Sequence, residues 1–182
     1  MSRTGPFLAA CLAAAAPPAG AAVSFQAAPT HPVADGGLLR APVVGDLNRD
    51  GRNDIAVIAD GVRIMLGLGD GRLAEGASLP AEDRPADLAL ADFNGDTILD
   101  IAVANSRSSS NVTVALGDGD ATFTLASSVP VGTYPVSVVT GDGNGDGKHD
   151  LATANAYDGD GKPGLVVSNY NFTIMLVRNT SP

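Results

Sequence analysis

Asp46, Asn48, Asp50 and Asp54 set four oxygen-bearing side chains within nine residues, in the order D-x-N-x-D-G-x-x-D, directly before the apolar run at residues 55–58. Carboxylates and amide carbonyls are hard donors, and six to eight oxygens of this kind suit a cation such as calcium. Alternate side chains of a tight loop converge on one point. The first, third, fifth and ninth positions are therefore candidate side-chain ligands, and the seventh, Arg52, offers its backbone carbonyl. Three aspartates brought together repel one another, and a divalent ion compensates most of that charge. Metal binding is expected to be coupled to folding.

The pattern returns twice, as DFNGDTILD from Asp92 and DGNGDGKHD from Asp142. The corresponding candidates are Asp92, Asn94, Asp96, Ile98 and Asp100, then Asp142, Asn144, Asp146, Lys148 and Asp150. Up to three calcium sites follow. The sixth position calls for a left-handed backbone, which Gly51 and Gly147 supply without steric cost. Thr97 stands there in the second loop, so that loop is expected to bind more weakly or turn differently. Gly143 replaces the apolar Leu47 and Phe93 at the second position of the third loop. A polar turn rich in Asp, Asn and Gly would explain one such loop. Three in register favour a metal.

The elements that carry the loops repeat with them. Each loop follows an apolar run (APVV, LALA, VSVV) and precedes two more (IAVI, IAVA, LATA, then VRIML, VTVAL, FTIML). Two of the units add a Gly-Asp-Gly turn and a fourth run, RLAEGASLP and TFTLASSVP. The runs are short, rich in Val and Ile, and bounded by turn residues, which is strand rather than helix chemistry. The fold class is all-β, a β-propeller-like array of three four-stranded blades, either a partial propeller or a ring completed by dimerisation. Repeats are expected at about residues 42–79, 88–130 and 136–179 of a domain spanning 22–182. FTIML reads as a third strand lacking its fourth, and residues 25–32, around Phe25, as a closing strand that supplies it, in the same chain or swapped into a homodimer.

Composition limits the partners. The formal charge of -9 and pI near 4.4 leave no basic patch for nucleic acid. Arg3, the short apolar stretch after it and the small residues 19–21 read as a signal peptide over residues 1–21, in bacterial style, so the chain is expected to be secreted or periplasmic. That stretch is too short for a membrane span, and no later one comes closer. Cys11, the sole cysteine, lies inside it, so the mature chain has no disulfide. Residues 8–11 also resemble a lipoprotein box, which makes anchoring through Cys11 the alternative.

Other calcium loops are excluded. An EF-hand requires Glu at position twelve and flanking helices, whereas Val57, Val103 and Thr153 stand there inside strand-like runs. Dockerin loops lie closer together and lead into helices, and glycine-rich nonapeptide repeats are absent. The sequence resembles the FG-GAP or VCBS repeat family, similar to the calcium-loop blades of the integrin α-chain propeller, over roughly residues 25–179. The resemblance implies a β-propeller, calcium on the fifteen residues named above, and extracellular recognition or scaffolding.

Catalytic signatures are missing: there is no G-x-S-x-G, H-E-x-x-H, G-K-[ST] or cysteine nucleophile in the mature chain. The chain is therefore read as no enzyme, with a propeller-type enzyme or accessory module acting on polysaccharide as the alternative. The expected partner is an extracellular protein or glycan. With no Trp, only Tyr134, Tyr157 and Tyr170 offer a sugar-stacking ring. His31 and His149 read as solvated. The segment from Asp158 to Gly164 reads as an inserted turn and a place for a private binding surface. Asn111, Asn171 and Asn179 head glycosylation-type triplets.

Overall fold

The structure, a computed structural model, describes residues 38–82, 84–107, 110–143 and 145–156, Thr30, and the backbone of two further strands at 164–168 and 174–177. The expected signal peptide, Cys11, His31, Asn144, Tyr157, Tyr170, Asn171 and Asn179 lie outside the described residues. So do all of the expected closing strand but Thr30, and residues 158–163 of the inserted turn.

Twelve strands are described: β1 Arg40–Gly45, β2 Asp54–Ile58, β3 Val62–Gly67, β4 Leu73–Leu79, β5 Pro85–Ala91, β6 Asp100–Asn105, β7 Asn111–Gly117, β8 Phe123–Pro130, β9 Pro135–Gly141, β10 Asp150–Asn155, β11 Gly164–Ser168 and β12 Ile174–Val177. They form three antiparallel meanders in chain order, β1 to β4, β5 to β8 and β9 to β12. No helix occurs among the described residues. Each Asp loop joins the first strand of a sheet to the second.

The third sheet corrects one expectation. FTIML was expected to be a third strand without a fourth, but its residues Ile174–Val177 form the edge strand β12, and β11, from the run GLVVS, takes third place. Leu165, Val166 and Val167 make that run a strand former in its own right. The third sheet is thus completed from within the chain, and the place foreseen for a closing strand at residues 25–32 is filled.

The sheets pack face to face with the second in the middle. One core joins Leu47, Ala56, Ile58, Val62 and Ile64 of the first sheet to Leu88, Ile101, Val103 and Ala115 of the second. Another joins Ala89, Phe93, Ala102, Ala104, Val112 and Val114 of the second to Val138 and Leu151 of the third. Every residue of β6 is buried in consequence. Alternation puts Ile101 and Val103 on one face and Ala102 and Ala104 on the other, which is why the strand reads as a continuous apolar run. The Asp87 carboxylate ties β5 to β9, accepting from the Ser137 hydroxyl at 2.7 Å and the Val138 amide at 2.9 Å.

Candidate metal centre

Each loop is folded around the side chain of its first aspartate. Asp46 accepts from the amides of Asp50 (3.1 Å) and Gly51 (2.9 Å). Asp92 accepts from those of Gly95 (2.6 Å), Asp96 (3.2 Å) and Thr97 (2.7 Å). Asp142 accepts from Gly145 (2.7 Å), Asp146 (3.1 Å) and Gly147 (2.9 Å). Short polar side chains favour such bonds to nearby backbone amides, and the bonds curl the chain into a compact turn. Asn48 and Asn94 repeat the motif one step on, each accepting from the amide two residues later. Asp50, Asp96 and Asp146 do so again toward the amides of Arg52, Ile98 and Lys148.

These amides also hold charge. Burial acts against ionisation of Asp92, yet the amides of Thr97, Gly95, Asp96 and Asn94 together hold its carboxyl below the usual range. Asp100 is shifted the other way. Burial raises its pKa, the amides of Gly117 and Phe93 oppose the rise, and the charges of Asp96 and Asp92 add to it.

The ninth-position aspartates stand apart from the exposed ones. Asp54 and Asp100 are fully buried, and both oxygens of each are in use. Asp54 accepts from the amide of Leu47 at 2.9 Å and of Gly67 at 2.8 Å. Asp100 accepts from Phe93 at 2.8 Å and Gly117 at 2.9 Å. Each thus clamps the start of its loop to the end of the third strand. Gly67 and Gly117 are required there, since an added Cβ would fall 2.0 Å from the Asn53 carbonyl oxygen and 2.4 Å from that of Leu99. Asp150 accepts from Gly143 at 2.9 Å, but its other oxygen is buried with no partner among the described residues.

Thr97 takes the left-handed conformation after all, at φ 70°, beside 82° for Gly51 and 83° for Gly147. The second loop therefore turns as the others do, and carries strain at its sixth position, as the first does at its fourth, where Arg49 takes φ 61°. A left-handed non-glycine residue costs about 1–2 kcal/mol, of which glycine's extra freedom in the unfolded chain returns roughly half. Thr97→Gly is expected to stabilise the protein by about 0.5–1 kcal/mol on this balance. A lowered urea midpoint in chelator would contradict it.

Every donor in this set is oxygen, which fits a hard cation and not a soft one. Carboxylate oxygens carry about four acceptor sites in all, so amide bonds leave capacity for an ion. Among the described residues no three Asp, Glu, His or Cys side chains group closely enough to hold an ion by themselves. An ion here would draw also on the asparagine and on the carbonyls of Arg52, Ile98 and Lys148. The orphaned Asp150 oxygen is a buried acceptor that such an ion would satisfy.

Sequence reasoning placed all three loops but missed the division within them. The signal for the clamp was present, since VRIMLG and VTVALG both end in glycine. Also missed was the polar network in the second sheet: Asn105 donates to Asn111 (2.8 Å) and Thr113 (2.9 Å), and Asn111 donates to Glu82 (2.9 Å) and Ser128 (2.7 Å). Asn111 is buried by these contacts, which leaves no room for a glycan on it. A crevice of about 260 Å³ runs between residues 92–95 of the second loop and 147–149 of the third, with Lys148 and His149 on one wall. Tyr134 lies 44 % exposed near the opposite ends of the strands.

An all-β repeat protein with one acidic loop per sheet is the class these observations define. Residues 46–103 and again 92–153 match the FG-GAP-like repeat, together more than half of the sequence, and the chain belongs to that family. Repeats of this family are found in extracellular, adhesion-type proteins and typically serve as binding or structural modules. No curated protein matches the chain. Among the described residues no helix is long and apolar enough to cross a membrane.

Proposed function

We propose that the chain is a secreted or periplasmic calcium-binding repeat protein, acting as an extracellular binding, adhesion or scaffolding module rather than as an enzyme. The observation that carries this reading is the threefold recurrence of one oxygen-only donor set on one amide scaffold. Asp46, Asn48, Asp50 and the Arg52 carbonyl would hold the first ion, above the buried Asp54. Asp92, Asn94, Asp96 and the Ile98 carbonyl would hold the second, above Asp100. Asp142, Asn144, Asp146 and the Lys148 carbonyl would hold the third, above Asp150. A bound calcium supplies positive charge that offsets the three carboxylates of a loop.

The three sheets are then blades of a propeller-like array, left open or closed into a ring by a second copy. A partner protein or glycan would meet the loop side of the array, where the crevice beside Lys148 and His149 offers a concave contact.

Thermal unfolding with excess chelator and then with millimolar calcium tests the reading. At a calcium concentration 100 times the dissociation constant each site adds about 2.7 kcal/mol. A rise in midpoint that shrinks in Asp50→Ala and Asp96→Ala is expected. An unchanged midpoint would sink the proposal. Light scattering on the same calcium-loaded sample reports the mass, and a monomer at high concentration would exclude the closed ring of two copies.

A further inference from the structure

We propose that the first and second acidic loops form one cooperative calcium pair, linked by direct contacts between the first two sheets. The inference rests on the calcium reading above and adds to it a connection between two of the sites.

The link has two parts. One is the turn after β7, residues 117–122. Its Gly117 amide donates to the buried Asp100 carboxylate of the second loop at 2.9 Å, and its Ala121 amide donates to the Leu47 carbonyl of the first at 3.1 Å. Between these two bonds stands Gly119. A Cβ added there would lie 3.4 Å from Cδ1 of Ile98, in the second loop, and 3.5 Å from Cδ of Arg49, in the first, so both loops close on the same residue. The turn is also braced internally: the Asp118 amide donates to the Thr122 carbonyl at 3.0 Å, and the Asp120 carboxylate accepts from the Thr122 amide at 2.9 Å. Ala121 is buried in the core between the sheets, as is Leu47, which anchors the first loop there.

The other part is Leu99, the neighbour of Ile98. It packs against the same core, and its Cδ1 fills the space beside Gly45, where an added Cβ would fall 2.6 Å away. Gly45 ends β1 and immediately precedes Asp46.

These contacts fall among the candidate ligands. Leu47 sits between Asp46 and Asn48, and Ile98 offers the carbonyl of the second loop. When the ligands of the second loop are held in place, Ile98 and Asp100 also fix the turn, and the turn fixes Leu47 and its neighbours. The freedom of the shared segment is then lost when the first ion enters and not again with the second, which is positive cooperativity. Linkage makes the effect mutual, with the same factor in both directions. Charge acts in opposition. The loaded second loop keeps one net negative charge from its three carboxylates, whereas the Asp96→Ala loop without an ion keeps two, so charge alone would tighten the first loop in that variant. A weaker first loop in Asp96→Ala is the signature of the link.

Calcium titration of the full chain, followed through its amide resonances, is the test, with Gly51 reporting the first loop and Thr97 the second. Asp96→Ala is expected to weaken calcium binding at Gly51 about fivefold, and Asp50→Ala to weaken it at Thr97 by the same factor. In a background of Arg49→Gly and Leu99→Ala, neither of them a proposed ligand, both effects should fall below about twofold. Arg49→Gly alone should already reduce them, and it is safe for folding because glycine takes the φ of 61° at that position without strain. Unchanged or tighter binding at Gly51 in Asp96→Ala, or a coupling undiminished by Arg49→Gly and Leu99→Ala, would overturn the link while leaving calcium binding intact. No response of either amide at millimolar calcium would overturn the calcium reading and this inference with it.

Discussion

Asp100→Ala is expected to destabilise the protein by roughly 2–6 kcal/mol, measured by urea unfolding in the presence of chelator. The side chain is fully buried at the start of β6, the strand at the centre of the molecule. Its removal strands the Phe93 and Gly117 amides, both of them on buried residues, and each unsatisfied donor costs about 1–3 kcal/mol. Against a total stability of about 5–15 kcal/mol for a natural domain the loss is large. Asp96→Ala supplies the contrast. Asp96 is exposed, and among the described residues its carboxylate bonds within its own loop, to Asn94 and Ile98, so its loss in chelator should stay at about 0.5 kcal/mol. A change below about 1 kcal/mol for Asp100→Ala would show that the buried carboxylate is not a clamp. Equal changes for the two variants would say the same.

The contrast also explains what the sequence reveals and what it hides. The repeats, the strands and the positions of the Asp loops are legible because local chemistry sets them: β-branched runs make strands, and Asp, Asn and Gly make the turn between them. β6 and β7 were found from their apolar runs, and β4 and β8 from the Gly-Asp-Gly turns before them. The identity of β11 was not legible. FTIML and GLVVS are both strand formers, and only pairing with Leu151 to Asn155 assigns third place to GLVVS. Pairing is a long-range outcome that composition does not encode.

The same limit hides the split between exposed and buried aspartates. Asp46, Asp50 and Asp54 are one residue type at regular spacing, yet Asp54 belongs to the strand and the others to the turn. Alternation along β2 sends a side chain to one face or the other. The Asp54 carboxylate meets the Gly67 amide because β2 and β3 pair antiparallel, which brings Gly67 within reach across 13 positions of sequence. Thr97 shows the opposite case. Its side chain argues locally for a different turn, but three amide bonds to Asp92 fix the loop and override that preference.

Phe93→Ala is the second large effect, at about 3–5 kcal/mol, because a buried aromatic leaves a cavity that sheet backbones cannot collapse to fill. Phe93 sits with Val138 and Leu151, so its loss loosens the third sheet from the second as well as the second loop from its core. Leu47→Ala should act alike one sheet earlier, through Leu88, Ile101 and Val103, at about 2–5 kcal/mol. Urea unfolding checks both, and a loss under 1 kcal/mol in either would remove the anchor from the account. The position shared by Leu47 and Phe93 always points to the sheet that follows. Gly143 holds that position in the third sheet, which no following sheet covers among the described residues. Gly143 is exposed, so an apolar side chain there would meet no core among the described residues. Among the described residues the second position of each loop therefore tracks whether a following sheet packs on it: Leu47 and Phe93 where one does, Gly143 where none is described.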